Sequence, residues 1–113
     1  MNKIELLIGG KSHPVKLGLR FLENVTTSEG ITIVDVFTKF ESETLFFLPK
    51  LIYYAINTAN PDTLTLDDIY DWVDEIGIAS EEIKPFIIAF ADAMKVHIPQ
   101  EDEKVGKQKA KRS

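Results

Sequence analysis

The chain contains no cysteine, which excludes a disulfide framework and every thiolate metal site. Histidine is nearly as scarce. His13 and His97 are the only two, one in the second predicted strand and one at the end of the last predicted helix. No cluster of His, Asp and Glu sits at metal-ligand spacing on one helix. A catalytic imidazole needs a positioned partner, so neither histidine is assigned chemistry. No apolar run approaches the ~20 residues of a membrane-spanning helix. Ile4 to Ile8 is too short for a signal-peptide core, carries Glu5 and lacks a small-residue cleavage site. Ser12, Ser28, Ser42 and Ser80 lie in no nucleophile-elbow context. Gly9-Gly10 is too short to cradle a phosphate. There are no internal repeats. The expectation is a protein without catalytic residues, cofactor or metal.

What remains is the composition of an ordinary globular domain, 113 residues with 44% hydrophobic and 27% charged. Such a chain buries roughly two thirds of its unfolded surface. Charge is segregated. Residues 1–103 hold 8 basic and 18 acidic residues, a net charge of −10, whereas residues 104–113 hold 5 basic residues and no acid. An acidic body repels phosphate backbones, so nucleic acid is an unexpected partner except through weak contacts of the basic tail.

Ile4, Leu6 and Ile8 alternate with Glu5 and Leu7, the period of a strand. Gly9-Gly10 supplies the positive φ angles of a tight turn. His13, Val15 and Leu17 then alternate with Pro14 and Lys16. Pro14 demands an edge position, because it has no N–H to give a neighbouring strand. Residues 18–25 read as a short helix, and Thr26 to Gly30 as a loop by composition. Thr32 with Asp35 resembles a capping box, followed by Ile33, Val36, Phe37 and Phe40 on one helical face.

Ser42-Glu43 opens another helix, which Pro49 breaks, kinks or restarts. Leu48, Leu51, Ile52, Ala55, Ile56 and Ala59 form a continuous stripe ended by Asn60-Pro61-Asp62. Thr65 before Leu66-Asp67-Asp68 is again a capping pattern, opening a helix whose buried face is Ile69, Trp72, Val73 and Ile76, with Gly77 at its end. Ser80-Glu81-Glu82 opens the last helix, with Ile83, Phe86, Ile87, Phe90, Ala91 and Met94 as its stripe. Pro85 fits only in the first turn of that helix. The predicted fold is mainly α: an N-terminal β-hairpin, about five short amphipathic helices, and a disordered basic tail. The domain spans residues 1–98 and the flexible tail 99–113.

Two constellations bear on function. Asp62, Asp67, Asp68, Asp71, Asp74 and Glu75 lack the alternating ligands and central glycine of a calcium loop, and read as the solvated face of the Trp72 helix. The aromatics are harder to house. Tyr53 and Tyr54 flank the stripe of the helix after Pro49, about 130° from its centre at ~100° per residue. Phe46 and Phe47 cannot easily be buried together, and Ile88 lies off the last stripe. Either neighbouring elements cover these residues, or they form an exposed apolar patch of the kind that marks a protein-interaction surface. Phe47, Tyr53, Tyr54 and Ile88 are the candidate partner-binding residues.

The opening Ile4-Glu5-Leu6-Leu7-Ile8-Gly9-Gly10-Lys11 and Val15-Lys16-Leu17-Gly18-Leu19-Arg20-Phe21-Leu22 resembles the opening of one family. So does the middle, Leu51-Ile52-Tyr53-Tyr54-Ala55-Ile56, then Asn60-Pro61, Leu64-Thr65 and Asp67-Asp68-Ile69. The family is the short tail assembly chaperones of long-tailed, siphovirus-like bacteriophages, and the likeness covers about residues 3–96. It implies a protein of the infected cell's cytoplasm, absent from the mature virion. Such a protein binds the tape measure protein, keeps that long helical chain soluble, and helps recruit tail tube protein. The resemblance also implies a second, longer product made by a −1 ribosomal frameshift, and Val105-Gly106-Lys107 permits a slippery codon pair. Self-association is a further open partner. Two other readings remain at this stage: a small phage or bacterial regulatory or adaptor protein that binds a protein or nucleic acid through its tail, and a small subunit of an enzyme complex.

Overall fold

The computed structural model describes residues 4–97. The expectations for the basic tail and its frameshift site lie outside the described residues. The elements are β1 (Glu5–Ile8), β2 (Lys11–Pro14), α1 (Leu19–Glu29), α2 (Ile33–Ser42), α3 (Thr44–Ala59), α4 (Leu66–Ile76) and α5 (Lys84–His97). This is the predicted mainly helical fold with an N-terminal hairpin.

The hairpin follows from its turn. Gly9 and Gly10 have φ of 61° and 82°, the left-handed pair that a two-residue hairpin turn requires. The strands pair antiparallel with Leu6 opposite His13 and Ile8 opposite Lys11. Leu6 and Ile8 face the core while Glu5 and Leu7 face out, as the alternation predicts. Past the last paired residue, the Val15 N–H donates to the Ile4 carbonyl at 3.2 Å and the Lys16 N–H donates to the Ala55 carbonyl at 3.1 Å. The second bond ties the hairpin to α3.

Helix α1 is longer than composition suggested. Thr26 lies inside it, its hydroxyl donating back to the Leu22 carbonyl at 3.0 Å and the Glu23 carbonyl at 3.2 Å. Bonded to its own turn, the threonine need not leave the helix. The helix ends at Gly30, whose φ of 68° is left-handed and whose N–H returns to the Thr26 carbonyl at 2.9 Å. Helix α2 opens with the predicted capping box. The Asp35 N–H donates to the Thr32 hydroxyl at 3.2 Å, and the Thr32 N–H donates to the Asp35 carboxylate at 3.1 Å. Helix α4 repeats the device with Thr65 and Asp68, and its acidic residues point to solvent.

Helix α3 runs through Pro49 without ending or restarting. The Leu45 carbonyl forgoes an i+4 donor there, and Pro49 is itself buried with Phe47, Leu48, Leu51, Ile52, Ala55 and Ile56. Helix α5 starts at Lys84 rather than at Ser80. Residues 80–83 form a turn instead, in which the Ser80 carbonyl accepts from Ile83 at 3.0 Å and Lys84 at 3.3 Å. Pro85 falls in the first turn, where a missing N–H costs nothing. The later start shifts nothing at Phe86, Phe90 and Met94, which are buried, but Ala91 is exposed and Ala89 takes its place inside.

The core joins these pieces. Phe90 is 1% exposed, and its ring meets Phe40 at 4.9 Å, Phe21 at 6.2 Å and Phe86 at 6.5 Å between centroids. One side chain of α5 thus bridges α1 and α2. Trp72 and Ile69 of α4 and Leu6 and Ile8 of β1 belong to the same cluster.

Candidate protein-interaction surface

Tyr53 and Tyr54 are brought together, as consecutive helical residues need not be. Their rings meet edge to face with centroids 5.3 Å apart, and both are half-buried. Helix α1 covers them in part. The Tyr54 hydroxyl donates to the Glu29 carboxylate at 2.6 Å, and Lys50 Nζ lies 3.6 Å from the same carboxylate. Burial, and then the Glu29 bond and charge, push the Tyr54 phenol well above its ordinary range, so it stays protonated and donating. Alongside, Asn24 donates to the Thr58 hydroxyl at 2.9 Å. Between α1 and α3 this leaves an open groove walled by Arg20, Asn24, Tyr53, Tyr54 and Asn57, polar at the rim with an aromatic pair at its side.

The other two candidates are elsewhere. Phe47 is 3% exposed and packs in the core, so it cannot anchor a surface contact; its neighbour Phe46 is the outward ring, 68% exposed. The helix begins at Thr44, which places Phe47 one turn before Leu51 on the buried face and turns Phe46 about 100° away. Ile88 is 62% exposed on α5 but does not line the tyrosine groove.

A second groove was not foreseen. It runs on the opposite flank of α1, against the start of α2, with Leu19, Leu22, Ile31 and Ile33 as its apolar lining and Glu23 and Thr32 at its rim. Leu19 is 70% exposed there. Its spacing of three from Leu22 mimics a core stripe, so sequence alone gives no sign that it is open. Leu45 beside Phe46, and Val34 on α2, add further exposed apolar side chains.

Among the described residues no group of three or more His, Cys, Asp or Glu is placed to hold a metal ion, and no helix is long and apolar enough to cross a membrane. His13 is buried on the inner face of the hairpin, opposite Leu6. No family model, curated protein or solved structure matches the chain.

Proposed function

We propose that this protein is a tail assembly chaperone of the long-tailed phage type, which holds helical segments of a tape measure protein in solution until tail tube protein is recruited around them. The observation that carries the proposal is the apolar groove between α1 and α2. Leu19, Leu22, Ile31 and Ile33 offer a strip on which the apolar face of a client helix can lie, the helix-in-groove mode of recognition. The tyrosine groove on the other flank of α1 supplies amphipathic anchors of the kind that dominate interface energies. Several copies along one long client gain by multivalency even when each contact is weak, and the acidic body keeps the complex soluble by like-charge repulsion. The order of hairpin, proline turn and acidic helix along the chain supports the same family. Under this reading the protein acts in the host cytoplasm and leaves before the virion is complete.

The test is co-expression with the tape measure protein of the same genome. The expected result is that the client moves from the pellet to the supernatant and co-purifies with this chain. A client that stays insoluble, or a purified chain that carries nucleic acid or a host enzyme in its place, overturns the proposal.

A further inference from the structure

A two-stranded sheet has two outer edges, and this chain interrupts one of them with a proline and a bond to α3. Ile8 and Lys11 flank a two-residue turn and form a hydrogen-bonded pair. Alternation gives the same role to Leu6–His13 and then to Ile4–Val15, where the Val15 N–H does donate to the Ile4 carbonyl. The intervening pairs, Glu5–Pro14 and Leu7–Ser12, therefore aim their backbone groups away from the hairpin. On β2 that outward side is interrupted, although the Ser12 N–H takes no partner among the described residues. Pro14 has no N–H, and the next outward donor, Lys16, is already bonded to the Ala55 carbonyl of α3. On β1 the outward N–H and C=O groups of Glu5 and Leu7 take no partner among the described residues. Leu7 is also 56% exposed, between Leu6 at 2% and Ile8 at 6%. An open strand edge with an exposed leucine is a template for another strand.

We propose that β1 pairs with β1 of a second copy of this chain, antiparallel about a two-fold axis through Leu6, so that two hairpins become one four-stranded sheet. The register selects a second copy as occupant. With Leu6 opposite Leu6, the outward groups of Leu7 meet those of Glu5 in the other copy, and the reverse. Every outward N–H and C=O of the two residues then gains a partner, as an isologous interface requires. Each Glu5 side chain faces a leucine and never another Glu5. An axis on Glu5 instead sets like charges directly opposite, which is destabilising. An axis on Leu7 matches Glu5 with Gly9, whose φ of 61° takes it out of the strand. The inference is independent of client binding and stands or falls by itself.

The experiment is sedimentation equilibrium of the full chain from about 10 µM to about 1 mM, a range that brackets weak pairing. Wild type is expected to show a reversible monomer–dimer equilibrium. Leu7→Glu places a carboxylate opposite Glu5 in both symmetric pairs and raises the midpoint concentration about tenfold. Leu7→Lys places an ammonium there and leaves the midpoint unchanged or lower. Combining Glu5→Lys with Leu7→Glu restores the wild-type midpoint, because each new lysine then faces a new glutamate. The substituted positions are exposed, and circular dichroism checks that each variant is folded. A wild type that is monomeric throughout overturns the proposal, as does a dimer that Leu7→Glu and Leu7→Lys affect alike. A dimer indifferent to both points to another face and overturns it too.

Discussion

Phe90→Ala is the sharpest probe of how the helices are held together. The ring is 1% exposed and touches aromatic partners on α1, α2 and α5. Truncating a buried phenylalanine costs about 3–5 kcal/mol, the spread reflecting how far the site can collapse. Collapse is hindered here, because Phe21, Phe40 and Phe86 approach from three helices and cannot all move inward. The loss should fall in the upper half of that range, about a quarter or more of the ~5–15 kcal/mol that stabilises a typical domain. Urea unfolding followed by the emission of the single tryptophan, Trp72, reads it directly. With a slope near 1 kcal/mol per molar for a small domain, the midpoint should fall by roughly 4 M or more. Phe90→Leu keeps most of the volume and should cost about 1.5 kcal/mol or less. A Phe90→Ala loss below about 1 kcal/mol would refute the claim that this residue joins α5 to α1 and α2.

Trp72→Ala should cost about 3–5 kcal/mol, since the indole is 5% exposed in the core; a loss under about 1 kcal/mol would mean α4 presents another face. Tyr54→Phe tests the bond to Glu29. The folded phenol is raised above its unfolded value, so its contribution is fully present below about pH 10 and is lost as pH rises beyond that. The stability gap between wild type and Tyr54→Phe should therefore shrink above about pH 10, and a gap that stays constant through that window would contradict the assignment. Tyr53→Ser with Tyr54→Ser should weaken binding to a tape measure fragment while circular dichroism stays native; unchanged affinity in the folded double variant would remove the tyrosine groove from the binding surface.

Several elements were legible because their causes are local. Gly9-Gly10 dictates the turn, and the Thr32–Asp35 and Thr65–Asp68 spacings name their helix starts to the residue. The α3 stripe reads off the sequence because it is long and unbroken. Failures came where a side chain or a neighbour overrides composition. Thr26 looked like a loop residue, but its hydroxyl bonds within α1. Ser80 looked like a cap, yet it heads a turn and α5 begins at Lys84. Phe46 and Phe47 posed a genuine choice, which the start of α3 resolves against Phe47. The surface was less legible than the fold. Adjacency alone does not pair Tyr53 with Tyr54, and the Glu29 partner and the Leu19 groove arise only when α1 packs against α2 and α3.

The central claim, that the α1–α2 groove receives a client helix, is tested most directly by calorimetric titration of the full chain with a soluble helical fragment of the tape measure protein. Wild type should bind, and Leu19→Asp should weaken binding about tenfold or more, as expected when a charge is set into an apolar contact, with its melting temperature unchanged because Leu19 is 70% exposed. Full affinity in a folded Leu19→Asp variant, or no binding by wild type to any fragment spanning the client, would contradict the account.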